Sequence, residues 1–463
     1  MPQVPCTQNL QRELADTIIR CTNLDEIRIL LACGAKVNGE VTQGLRPLHY
    51  AVYKRFTEAA RLLLVRGSEV DARDDVGYSA IHLCAERGYT DLIAILLEHK
   101  ANVDFSDHDC TDPFPRTKLA EEPLRLAIKN GHFESARFLL ENGANPNARY
   151  FLGSEINLVN PLDVRFLELL LFHGANANST DRNGLTPLMK ACRHPEGYEA
   201  ALLLIKFGAN VNAMAGERHD FRTVLHYGVL SSKMETVTML LKQGANVTFS
   251  SEYRKPTPLD FAILRGNPVM VKVLLEAGAD PNACSPLIGG PLHIACADNI
   301  PNRMEILSIL LDFGADPNLY TLSDSCPELK PPLGEYIASN TNPDPEVVSL
   351  LLKYGASIVV KTQFGDPKGI LKAIPRLNDD SHVFNTLLEA AESFNIGAIR
   401  RSTSLSSFQK QVLLDRAMNP LSLKHELRVF IRNLLRGKGC LPISVDVLPL
   451  PPLVKSYLLY QLI

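Results

Sequence analysis

The 463-residue chain has no tryptophan, no CxxC pair and no apolar run approaching a membrane span. A spanning helix needs about 20 consecutive apolar residues, so the sequence predicts no membrane segment. The ten cysteines are scattered. Cys33, Cys84, Cys192 and Cys296 sit in apolar helical stretches, where Cys behaves as a small hydrophobe. Neither a disulfide framework nor a metal site follows from such spacing. Also missing are GxGxxG, a P-loop, HExxH and a nucleophile elbow. The sequence thus argues for no enzyme, no catalytic residue, no cofactor and no metal. A net charge of −3 gives no positive field to attract nucleic acid or an anionic membrane. The opening "MPQVPCTQNLQRELAD" lacks the basic-then-apolar layout of a secretory signal. The expected setting is a reducing one: the cytoplasm, with the nucleus as a second compartment.

What the sequence has in abundance is repetition. An apolar helix end followed by Gly-Ala and a polar pair recurs as "LLACGAKVN", "LLVRGSEVD", "LLENGANPN", "LIKFGANVN", "LLEAGADPN" and "LLDFGADPN", among others. The glycine, or Lys100 in its place, falls at 34, 67, 100, 143, 174, 208, 244, 278, 314 and 355. A second phrase opens most repeats: "RPLHYA", "SAIHLCA", "TPLMKA", "TVLHYG", "TPLDFA", "GPLHIA". Thr or Ser ahead of Pro caps a first helix, and Gly ends a second one in the left-handed conformation. A helix pair of this kind leaves an apolar face that it cannot bury alone, so repeats stack.

Two phrases in fixed phase at about 33 residues resemble the ankyrin repeat. The resemblance implies an all-α solenoid of helix pairs with hairpin loops. It predicts an array over 1–394, with ten recognisable repeats and a decayed eleventh at 364–394. His49, His82, His226 and His293 recur at one place in the repeat, which suits a structural hydrogen bond at each turn better than a metal site. Longer steps mark insertions at 104–122 and 318–332, and the short step around "YFLGSEINLVNPLDV" lacks a proper first helix. Aromatic and arginine side chains at the predicted tips are the candidate contacts for a target protein: Arg149, Tyr150, Phe151, Arg218, Phe221, Tyr253, Arg254 and Tyr320.

The serine-rich "IGAIRRSTSLSSFQKQ" reads as a linker, spanning 395–418, and 419–463 as a separate module. In "NPLSLKHELRVFIRNLLRGKG", Asn419 and Pro420 suit a helix start and Gly437 its end. Leu423, Leu427, Phe430, Ile431 and Leu434 form an apolar stripe. Lys424, Arg428, Arg432 and Arg436 form a basic one, expected as a solvated face. "VLPLPPLVKSYLLYQ" follows, its prolines expected to hold it extended.

This ending resembles the SOCS box, whose first half runs P-x-S-L-x-x-L-C-R-x-x-I-R. The matching residues are Pro420, Ser422, Leu423, Arg428, Ile431 and Arg432; Glu426 and Leu427 depart from the pattern. The family's L-P-x-P form falls on Leu448, Pro449, Leu450 and Pro451. Array and box together resemble the ankyrin repeat and SOCS box proteins. That resemblance implies a non-catalytic substrate receptor of a ubiquitin ligase with elongin B, elongin C, cullin-5 and a RING-box protein as partners. Leu423, Leu427, Ile431 and Arg432 would meet elongin C, Leu448 to Pro451 the cullin, and the array an unknown protein substrate. Two rivals stay open: an ankyrin scaffold whose C-terminal segment only caps the array, and a nucleic-acid adaptor using the basic helix.

Overall fold

The computed structural model describes residues 7–105, 121–250, 253–285, 288–297, 299–320, 329–340, 342–362, 368–379, 381–419, 421–435 and 440–461. Most of both insertions, and Pro420, Arg436 and Gly437, lie outside them. The chain forms two compact units, Met1–Phe221 and Arg222–Ile463.

Each unit is a stack of helix pairs. The first opens with Thr7–Ile19 and Leu24–Ala32, and continues through pairs such as Pro47–Tyr53 with Thr57–Val65 and Ala80–Arg87 with Thr90–Glu98. The second opens with Val224–Leu230 and Met234–Lys242 and includes Pro332–Ser339 with Pro345–Lys353. The buried leucines, isoleucines and alanines come from the facing sides of these helices, among them Leu63, Ile93, Leu96, Val237, Leu274 and Leu351.

The recurring phrases have direct structural causes. At each "PLH", "AIH" or "VLH" the histidine folds back on the helix start. Nδ1 of His82 accepts the Ser79 N–H at 3.1 Å, and that of His226 accepts the Thr223 N–H at 2.9 Å. Their other nitrogen reaches forward where a carbonyl is in range: Nε2 of His226 donates to Pro256 O at 3.0 Å, and that of His293 to Lys330 O at 2.9 Å. In "TPLD", Asp260 takes the histidine's place, accepting from Thr257 N at 2.8 Å. The second Asn of the hairpin phrase stitches neighbouring repeats. Asn147 Nδ2 donates to Gly174 O at 2.9 Å while its Oδ1 accepts from Asn176 N at 2.8 Å. Asn282 does the same with Gly314 O at 3.1 Å and Asp316 N at 2.7 Å. The glycine ending the second helix is left-handed, as at Gly67 (φ 87°), and Lys100 is forced to φ 66° at the same place.

Three sequence expectations are sharpened or changed. The short repeat, expected to lack a proper first helix, keeps a single turn, Glu155–Leu158, where "SEIN" occupies the place of "TPLH". Asn157 there donates to Ser179 Oγ at 2.9 Å, bonding a neighbouring hairpin. The decayed eleventh repeat keeps its second helix, His382–Ala390, but its first is reduced to the 3-10 turn Ile374–Arg376, where Pro375 offers no amide. Its strand Ala391–Phe394 runs parallel to Ile358–Val360. Third, 395–418 is no linker. It forms a further pair, Ile396–Arg401 and Ser407–Met418, because Asn395 caps the first helix and Ser406 the second. Ser406 Oγ accepts from Gln409 N at 3.0 Å, and Gln409 Nε2 donates to Leu377 O at 2.8 Å, while Ile399 and Leu413 are buried.

Candidate protein-docking site

The last module consists of three helices, Leu423–Leu435, Leu441–Asp446 and Pro452–Leu458. The first starts later than the sequence suggests. Ser422 Oγ accepts from His425 N at 3.3 Å, whereas Asn419 closes the preceding helix by donating to Asp415 O at 3.2 Å. The proline-rich strip is not extended. Pro452 starts a short helix, as Pro442 does in the helix before it, where a missing amide costs nothing, and Val447–Pro451 and Leu459–Gln461 remain non-helical. Leu435, Leu441, Val445, Leu458 and Leu459 make a small core, with Ile431, Leu448 and Leu450 half-buried against it.

The first helix turns its apolar stripe outward, as a docking face requires, but its basic stripe is not the solvated face expected of it. Its arginines are inside: Arg428 and Arg432 are each 3% exposed. The guanidinium of Arg428 lies 3.3 Å from the ring centre of Tyr457 and 4.3 Å from that of Tyr460. Arg432 lies 4.6 Å from the Tyr460 ring, donates to Leu458 O at 2.7 Å and also donates to Leu352 O. Of the basic stripe, Lys424 is exposed, its ammonium 4.1 Å from the centre of the Tyr457 ring. The expected solvated basic face is therefore half core. Arg428 stacks on both tyrosines, with its Nε left without a hydrogen-bond partner, while Arg432 adds two carbonyls to its stacking away from water.

The apolar stripe faces out. Leu423 is 72% exposed, Phe430 63%, Leu434 55% and Leu427 49%. Ile443, Val447 and Leu453 extend the exposed apolar surface of the module. Among the sequence candidates, Leu423 and Leu427 thus share an open face, Ile431 is shared with the module's core, and Arg432 lies on the inner side. Pro449 and Pro451 are exposed, while Leu448 and Leu450 turn inward. Phe430 adds the largest exposed ring on the helix, and spacing alone identifies it. The roles of Tyr457 and Tyr460 were not readable locally, although their separation of three matches that of Arg428 and Arg432 within a residue.

Burial depresses the proton affinity of His425, whose Nε2 donates to Ala391 O at 3.0 Å. Burial raises the Tyr457 phenol, with Arg428 pulling the other way. Among the described residues no group of three or more His, Cys, Asp or Glu is placed to hold a metal ion.

The candidate target contacts divide. Arg149, Arg218 and Arg254 are exposed, as are Phe221 and Tyr320. Tyr150 turns its hydroxyl inward toward the fully buried Glu155, which burial pushes up to about 7 against the pull of Arg125 and Tyr150. Phe151 lies under the guanidinium of Arg182 at 4.5 Å. Tyr253 stacks on Phe249 with ring centres 4.5 Å apart and brings its hydroxyl 3.4 Å from His226 Nε2. These three cover neighbouring structure.

Comparison with known proteins agrees with the repeat architecture. The family model described as ankyrin repeats (3 copies) matches residues 57–150, 160–251, 215–285 and 259–362. Human ankyrin repeat and SOCS box protein 16 is 30% identical over 370 residues, covering 75% of each chain. Its mouse counterpart is 31% identical over 371 residues, covering 74% of this chain and 75% of that one. Human ankyrin repeat and SOCS box protein 6 is 28% identical over 378 residues, covering 75% and 83%. Among solved structures, the ankyrin repeat domain of human ASB11 aligns at a TM-score of 0.40 and 22% identity, over 51% of this chain and 99% of that one. Repeats and relatives together place this chain in the ankyrin repeat and SOCS box protein family.

Proposed function

We propose that the chain is the substrate receptor of a cullin-RING ubiquitin ligase. Its C-terminal module binds elongin C, within elongin B/C, together with cullin-5 and its RING-box protein, and its array binds a protein target in the cytoplasm or nucleus. One observation carries the reading: a helix that keeps two arginines in its own interior while leaving Leu423, Leu427, Phe430 and Leu434 to solvent. A face of this kind is costly unless a partner covers it. Fully burying one such side chain stabilises a complex by about 1.5–3 kcal/mol. Pro449 and Pro451, with Val447 and Leu453 beside them, are the exposed part of the segment assigned to the cullin.

Catalysis belongs to the other subunits. This chain would supply proximity, holding target lysines near the conjugating enzyme. The exposed Arg149, Arg218, Phe221, Arg254 and Tyr320 are the contacts proposed for the target. Co-expression with elongin B/C tests the reading. The full chain should co-purify with elongins, and Leu423→Glu should abolish this while leaving the chain folded. Failure of the wild-type chain to bind would favour an ankyrin scaffold without ligase partners.

A further inference from the structure

The C-terminal module meets the repeats along the polar side of its first helix. Near the start of that helix, His425 Nε2 lies 3.0 Å from Ala391 O, the first residue of the strand Ala391–Phe394. A carbonyl only accepts, so the imidazole donates. Seven residues on, about 10 Å along the helix, Arg432 donates to Leu352 O in the last turn of Pro345–Lys353. The same guanidinium holds Leu458 O at 2.7 Å, so it joins the module's first and last helices as well.

Around the first anchor lies a cleft of about 590 Å³, lined by Glu389, Asp415 and Arg416 of the preceding helices and by Ser422, His425, Arg428 and Tyr457 of the module. Apolar contacts tolerate sliding, whereas hydrogen bonds to fixed backbone carbonyls have direction. One anchor would permit rotation about itself; two anchors two turns apart define an angle.

We infer that His425 and Arg432 are positioning residues that set the angle of the C-terminal module on the last repeats. They thereby fix the direction in which Leu423 and Phe430 face a partner. The geometric part stands on these contacts alone, and its consequence for ubiquitin transfer rests on the function proposed above.

The test uses the full chain and three variants. His425→Ala removes a bond that only the repeats receive, and His425→Gln offers an amide N–H to the same carbonyl. Arg432→Gln shortens the second anchor, with some loss inside the module. Spin labels on unnatural side chains at Glu346 and Ile443, both exposed, report the distance between repeat and module. One narrow distance is expected in the wild-type chain, at least a doubling of its width in His425→Ala, a wider spread still in Arg432→Gln, and recovery in His425→Gln. An unchanged distribution in His425→Ala would overturn the inference. In the second arm, the chain is reconstituted with elongin B/C, cullin-5, its RING-box protein and a ubiquitin-conjugating enzyme, and its own lysines serve as acceptors. His425→Ala should keep elongin affinity within twofold, slow modification about fivefold and spread it over more lysines, with His425→Gln restoring the pattern. An unaltered lysine pattern in His425→Ala would refute the consequence. Absence of elongin binding by the wild-type chain would defeat the functional reading and leave the label distances to decide the geometry.

Discussion

The ring centre of Tyr457 lies 3.3 Å from the guanidinium of Arg428, deep enough that the arginine is 3% exposed. Tyr460 covers the other neighbour, Arg432, at 4.6 Å. This pairing explains how a helix carrying both a basic and an apolar stripe chooses its orientation. Both arginines find aromatic faces inside the protein, and Arg432 finds two carbonyls as well, while the leucines and phenylalanine stay outside.

Replacing the ring should therefore loosen the module. Tyr457→Leu should cost about 2 kcal/mol, the value of a desolvated cation–π contact. Amides in 423–435 and 452–458 should then exchange about thirtyfold faster, while those of the repeats keep their protection. Uniform rates across the chain would mean that the tyrosine only fills space.

The outward face makes a contrasting prediction. Phe430→Ser and Leu434→Ser alter side chains 63% and 55% exposed, so thermal stability should change by less than about 0.5 kcal/mol. Light scattering of the chain alone should fall, because less apolar surface is shown to a second copy. A large loss of stability would show that these side chains belong to the fold.

Acid should weaken the array, less steeply than its histidines alone would suggest. Burial lowers His82 from 6.5 to about 3 and His226 from 6.5 to about 4, and it lowers His49 and His293. The unfolded chain binds those protons below pH 6.5 and the folded chain does not, so stability is full above pH 6.5 and falls below it. Asp260, raised by burial from 3.8 to about 6, and Glu155, raised by burial from 4.5 to about 7, act in the opposite sense. Their stabilisation is present at low pH and is lost as pH rises through those values. Asp260→Asn should steepen the loss between about pH 6 and 4, and Glu155→Gln between about pH 7 and 4.5, each by at most about 1.4 kcal/mol per pH unit. Chemical denaturation at several pH values reads this directly; parallel curves for variant and wild type would remove the balance.

Lys100 offers a gain. It holds φ 66° where other repeats place glycine, and a side chain there costs about 1–2 kcal/mol. After the greater freedom of unfolded glycine is subtracted, Lys100→Gly should stabilise the first compact unit by about 0.5–1 kcal/mol in denaturant melts. A destabilised variant would show that the lysine side chain makes a contact worth more than the backbone cost.

Most of the array was legible because each recurring phrase does a local job. His82 caps its own helix, and Gly67 turns the chain at the end of another. What escaped the sequence depended on distant partners or on one residue serving in place of another. Asn157 replaces a histidine without resembling it. Ser406 looks like linker composition until Gln409 is seen to complete its cap and reach Leu377. The orientation of the basic helix required Tyr457, Tyr460 and Leu352, the last of which is 80 residues from Arg432. Of the tip residues, Tyr150 turns toward Glu155, Phe151 lies under Arg182 and Tyr253 stacks on Phe249, contacts that have no sequence signature.

Affinity for purified elongin B/C, measured on the full chain by calorimetry, bears most directly on the account. A complex of sub-micromolar strength that weakens at least a hundredfold in Leu423→Glu, with the melting of the repeats unaltered, is the predicted result. No measurable heat from the wild-type chain, or equal binding by the variant, would contradict it.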